Sequence, residues 1–298
     1  MRKQLCDALV ARAGKPDMVF LTGDLGFMAL EPLQAAMGER FINAGVAEQN
    51  LVSVAAGMSR LGLEVWTYSI APFLYARPFE QIRNDVCFHG LPVKLIGNGG
   101  GYGYGVMGST HHAIEDYGVL LTLPGMHVIA PVFDEDVGSA VARAGEATGP
   151  CYLRLGRGEP PKGFLVPAYA PWRCLVEGEG AVVIAFGPLA GTYIETAKAR
   201  GASLWAVAEL PLDASPPPAA LLAAIAQAKF ICIAEEHVRQ GGLASALMLH
   251  LALAGVAPRQ ISHLYARAHN FGRYGSQGYL RRQAGIDPAS LAAALDQG

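Results

Sequence analysis

FINAGVAEQNLVSVAAGMSRLG, residues 41–62, decides how the rest of the chain is read. Gln49 to Leu61 reads as a helix, and Asn43 to Ala47 lead into it through a tight Gly-Val-Ala turn. Glu48 therefore stands where the helix begins, and the positive end of a helix dipole favours a carboxylate. Taken alone, that placement would account for the residue. On either side of this stretch, apolar runs of four to six residues alternate with helical periodicity, strand then helix, the pattern of parallel α/β layers. Strands are expected at Met18 to Thr22, Val65 to Ser69, Val93 to Gly97, His127 to Ala130 and Cys151 to Leu155. Helices are expected at Pro78 to Val86, with proline in the first turn, and at Asp134 to Gly145, which opens on acidic residues.

Between Glu159 and Trp172, Pro160, Pro161, Pro167 and Pro171 deny the chain helix and central strand alike. The expected organisation is a first α/β domain over residues 1–160, a linker over 161–175 and a second, smaller α/β domain over 176–298. Strands of the second are expected at Val182 to Phe186, Leu204 to Ala208 and Phe230 to Ala234. Helices are expected there at Leu189 to Ala199, Ala219 to Ala226 and Gly242 to Leu253.

Composition narrows the function. Of 298 residues, 52% are hydrophobic and only 16% charged, against about 25% charged in ordinary domains. So apolar a chain is expected to cover part of its surface with another subunit. Its 23 basic and 25 acidic residues include no long basic run, so nucleic acid is not an expected partner. Five scattered cysteines without CxxC spacing imply neither a zinc knuckle nor a disulfide framework, which fits a reducing cytoplasm. The opening MRKQLCDALVARAG is too interrupted by charge for a signal-peptide core, and no run is long and apolar enough for a membrane span. GYGVMG at 103–108 matches GxGxxG but lacks the acidic residue a dinucleotide site places about 20 residues on, where Val128 stands. Its glycines, bracketed by Tyr102, Tyr104, His111 and His112, suit a substrate-lining loop. The eight histidines offer no metal spacing, and adjacent His111 and His112 would point different ways.

Residues 41–62 closely resemble the signature of the pyrimidine-binding domain of thiamine-diphosphate enzymes of the transketolase family. The resemblance continues in order through TGDLGF at 22–27, YSIAPFLYARPFEQIRNDV at 68–86, LPVKLIG at 91–97, GSTHHAIED at 108–116, IAPVFDEDV at 129–137 and YLRLGRGEPP at 152–161. EEHVRQGGLASAL at 235–247 and HNFGRYGSQGYL at 269–280 resemble the family's C-terminal domain. No GDG motif with a downstream Asn, the family's magnesium and diphosphate site, occurs in the sequence. The resemblance therefore implies the beta subunit of a split transketolase: cofactor thiamine diphosphate, with Mg2+ bound by a diphosphate-binding alpha subunit in an α2β2 assembly. The implied reaction transfers a two-carbon ketol unit between sugars or sugar phosphates.

The same resemblance implies roles for particular residues. Glu48 would contact the pyrimidine ring nitrogen, Phe73 would stack on the ring, and Tyr68 is a weaker candidate for that pocket. His111 would donate to substrate oxygens beside His112, which replaces a residue often Gln in relatives. Arg77 and Arg157 match basic positions near the substrate channel. Met107 stands where relatives acting on phosphorylated sugars usually carry an Asp that reads a substrate hydroxyl. A thioether cannot pair that hydroxyl, which points to substrates less hydroxylated there. Three other readings stay open: a 1-deoxyxylulose-phosphate-synthase-like enzyme, a 2-oxoacid dehydrogenase beta subunit, and a noncatalytic scaffold.

Overall fold

A computed structural model describes residues 1–298. In chain order the strands are β1 (Met18–Thr22), β2 (Phe41–Asn43), β3 (Glu64–Ile70), β4 (Lys94–Asn98), β5 (His127–Ile129), β6 (Cys151–Leu155), β7 (Trp172–Val176), β8 (Val182–Phe186), β9 (Ser203–Val207), β10 (Glu209–Leu210), β11 (Ile231–Glu235) and β12 (Ile261–Tyr265). They form two sheets, ordered β10-β5-β6-β4-β3-β1-β2 and β12-β11-β8-β9-β7. Every pairing is parallel except β10 on β5 and β7 on β9. The α/β architecture expected from alternating strand and helix patterns is therefore the one found.

Two departures from the expected organisation concern the domain boundary. β7 starts inside the segment read as linker, directly after Pro171, because an antiparallel edge strand tolerates a proline at its start where a central strand does not. β10 follows β9 almost at once, yet it crosses to the first sheet, where Glu209 pairs with Ile129 and Leu210 with Val128. The first sheet is thus completed by chain from the second domain. Apolar packing crosses the boundary too: one core cluster runs from Leu51 and Ala55 through Tyr117 and Phe186 to Ile233 and Leu247. The expected helix at 78–86 is a short α-turn, Phe79–Gln81, that widens into a π-turn over Ile82–Cys87. No helix is long and apolar enough to cross a membrane.

Polar bonds fix the outer parts of the first domain. Arg12, on the helix Arg2–Arg12, donates to Glu64 from Nε at 2.6 Å and from Nη2 at 3.1 Å. Trp66 Nε1 at 2.8 Å and Lys15 Nζ at 3.0 Å donate to the same carboxylate. Burial alone would raise the Glu64 carboxyl, but these donors stabilise its charged form and hold it at about 2, below the ordinary 4.5. The depressed value means the stabilisation is complete above pH 4.5 and disappears as pH falls towards 2. Glu64→Gln is therefore expected to flatten the acid limb of the stability curve, measured by denaturant unfolding across that interval. An unchanged acid limb would show that the cluster contributes nothing to acid stability.

Candidate active site

The first sheet reverses its strand order around β1: the chain passes from β1 to β2 on one side, then returns to place β3 on the other. In such sheets, a crevice opens beyond the carboxyl ends of the strands at this reversal. Gly23 follows β1, the helix Glu48–Arg60 follows β2, and the short helix Ala71–Tyr75 that carries Phe73 follows β3. Asn43 ties two of these loops together. Its Oδ1 accepts from the backbone N–H of Asp24 at 3.1 Å and of Gly45 at 2.9 Å, and its Nδ2 donates to Asp24 Oδ1 at 2.9 Å. Gly45, at φ +73, supplies the left-handed turn that delivers Glu48 to the helix start.

Glu48 is 4% exposed. Both of its carboxylate oxygens accept from Arg77 Nη1 at 2.9 Å. The same guanidinium lies over the Phe73 ring, 4.0 Å from its centroid, and the Phe73 ring meets His111 edge-on at 5.1 Å. His111 Nδ1 is 3.0 Å from Thr110 Oγ1, and Tyr104 lies behind it, its hydroxyl accepting from Asn98 Nδ2 at 2.6 Å. Four residues singled out in the sequence, Glu48, Phe73, Arg77 and His111, therefore form one connected group.

The others stand apart from that group. Tyr68 faces the opposite side of β3, where its buried ring packs near Phe20 in the core beneath the N-terminal helix. Strand alternation gives the site-facing position to Ser69 instead. The Ser69 Oγ is buried with no hydrogen-bond partner. A Cβ placed on Gly23 would lie 3.9 Å from that hydroxyl, 4.0 Å from Glu48 Oε1 and 3.4 Å from the Gly45 carbonyl. Gly23 thus keeps a space open between an unpartnered donor and a buried carboxylate. His112 turns away from His111 and stacks on His269 of the second domain, with ring centroids 6.0 Å apart. Burial lowers its imidazole's affinity for a proton. Met107 is 57% exposed on a 3-10 turn, so it does not line an interior channel within this chain. Arg157 is exposed and makes no hydrogen bond or ion pair.

A family model described as the transketolase pyrimidine binding domain matches residues 5–162. The chain belongs to the transketolase family. It is 30% identical to the B subunit of the apulose-4-phosphate transketolase of Actinobacillus succinogenes, covering 88% of this chain and 86% of that relative. It is 32% identical to 1-deoxy-D-xylulose-5-phosphate synthase 1 of Geobacter sulfurreducens, across 87% of this chain but 41% of that longer protein. A solved structure described as a split gene transketolase, inactive beta4 tetramer, superposes with a TM-score of 0.84 at 31% identity, covering 99% of this chain and 97% of that one. The beta-subunit reading made from the motifs agrees with these relatives. In this transketolase-family chain, Asn43, Ser69 and Gly23 build the candidate site beside Glu48, and motif matching singled out none of them. The signal for Ser69 was present, since period-two alternation puts it on the face opposite Tyr68.

Proposed function

We propose that the chain is the beta subunit of a two-component, thiamine-diphosphate-dependent transketolase that moves a two-carbon ketol unit from a ketose to an aldehyde. One observation carries the reading: a buried carboxylate, Glu48, lies beside the space that Gly23 leaves towards the unpartnered Ser69 hydroxyl, and Arg77 links it to the face of the Phe73 ring. An aminopyrimidine offers donors and acceptors at its edge and flat apolar faces, and this donor set fits it. Bound there, thiamine diphosphate would supply an acidic carbon and an electron sink for carbon–carbon bond cleavage.

The chain's own residues would bind, orient and move protons. Glu48 exchanges a proton with a ring nitrogen, which needs a carboxylate within hydrogen-bond reach. Ser69 gains the partner it lacks, and Phe73 fixes the plane of the ring. His111, held between Phe73 and Thr110, donates to substrate oxygens at the open side of the pocket. Arg157, with no internal partner, is free to pair with a substrate phosphate or hydroxyl. This chain places no three His, Cys, Asp or Glu side chains so that they could hold a metal ion, and the proposed assembly assigns Mg2+ to the diphosphate-binding alpha subunit.

Two of the relatives support partner dependence, one being a separate subunit of its enzyme and the other an inactive tetramer of beta chains. The purified chain alone is expected to bind thiamine diphosphate poorly and to show no turnover, while the diphosphate-binding subunit restores both. Calorimetric titration with magnesium present checks this, and tight binding by the chain alone would refute it. The identity with the deoxyxylulose-phosphate synthase favours one second reading, use of pyruvate as donor. Release of carbon dioxide from pyruvate with glyceraldehyde phosphate as acceptor would select that reading over ketol transfer.

A further inference from the structure

Arg77 occupies both surfaces that the proposed function gives to the pyrimidine ring. Its Nη1 holds both oxygens of Glu48 at 2.9 Å, and its guanidinium carbon lies over the Phe73 ring, 4.0 Å from the centroid. A guanidinium is flat and delocalised and presents N–H donors at its edge, so it offers a carboxylate and an aromatic face much of what an aminopyrimidine offers. The two cannot share one ring face and one carboxylate. Arg77 also has somewhere to go: its side chain is 47% exposed, and it makes no bond except to Glu48.

We infer that Arg77 is a place-holder, seated on Glu48 and Phe73 until the cofactor's pyrimidine displaces it towards solvent. Without it, the buried Glu48 carboxylate would face the open crevice with no cation beside it. With it, the pocket keeps its shape before loading, and each loading event must break one charge-assisted pair and one stacking contact. The displaced guanidinium is then available at the mouth of the pocket. This inference rests on the cofactor reading proposed above.

The test uses the complex with the diphosphate-binding subunit and thiamine diphosphate plus magnesium, without substrate. Association is followed by stopped flow and affinity by calorimetry. Because solvent reaches the half-exposed Arg77 and screens its contact with the buried Glu48, removing the arginine is expected to have a modest effect: Arg77→Ala should load faster and bind about three- to tenfold tighter. Arg77→Lys, which keeps a cation for Glu48 but cannot lie flat on Phe73, should fall between wild type and Arg77→Ala. Nitrogen-15 spectra of the arginine side chains provide a measurement on the unmutated protein: the Arg77 signal should move to a solvent-averaged position on loading. Equal or weaker cofactor binding by Arg77→Ala, or an Arg77 signal that stays unchanged in a loaded complex, overturns the inference and leaves the cofactor reading standing. A wild-type complex that takes up no cofactor overturns both.

Discussion

Glu48→Gln is expected to leave the chain folded and, in the presence of the diphosphate-binding subunit, to reduce turnover by at least about a hundredfold, the low end of what a positioned acid or base contributes. The amide is nearly isosteric with the carboxylate and can still accept from Arg77, so the space beside Gly23 and Ser69 should keep its shape. What would be lost under the proposed function is the ability to exchange a proton with a ring nitrogen. A helix-end carboxylate with a purely structural role behaves differently, because its neutralisation costs about 0.3–1 kcal/mol of stability and nothing in turnover. Steady-state turnover at saturating cofactor, with thermal unfolding alongside, separates the two. Near-normal turnover with intact cofactor binding would remove Glu48 from the mechanism.

The second large effect concerns the junction of the two domains. Arg154 sits in β6, 4% exposed, and its Nε donates to Asp116 Oδ2 at 2.7 Å. Its Nη2 donates to the carbonyl of Ala113 at 3.1 Å and, across the domain boundary, to that of Glu236 at 3.1 Å. Tyr152 donates its hydroxyl to the same Asp116 oxygen at 2.9 Å. Arg154→Met keeps most of the volume but leaves a fully buried carboxylate without its cation and the Glu236 carbonyl without a donor, while the Ala113 carbonyl keeps the N–H of Gly101 at 2.8 Å. Breaking a buried pair on one side costs about 3–5 kcal/mol. Urea unfolding of the variant should show a loss of that order, whereas a loss below about 1 kcal/mol would mean that solvent or a neighbouring group replaces the arginine.

Arg154 also marks where sequence reading stops. Its strand, CYLRL, reads correctly as a strand because four of its five residues are apolar or aromatic, but the pattern does not reveal that the lone cation points inward to a partner 38 positions earlier. β1 and β6 are legible to the residue because both are fully buried runs. β2 is three residues of partly exposed edge, and β12 has only one buried position, so neither gives a periodic signal of useful length. At the candidate site, motifs single out residues to which the proposed function gives chemistry and pass over those that hold them in place. Asn43 lies within the quoted signature, yet its role is to join loops separated by 19 positions, which only the folded chain brings together. Tyr68 illustrates the opposite error: the type of residue suits a ring pocket, but the strand's pleat turns it to the other face.

The crossing of β10 into the first sheet bears on how this gene can be dissected. Glu209 and Leu210 cover the free hydrogen-bonding side of β5, and the buried Glu209 carboxylate accepts from Arg143 of the first domain at 3.2 Å and from Tyr169 of the proline-rich segment at 3.0 Å. A fragment ending at that segment would lack this cover and present a short, apolar open edge to other copies, the arrangement through which sheets aggregate. The two halves are thus interlocked like a dovetail joint, and any exchange of modules with a relative must carry residues 209–210 along with the first domain they complete.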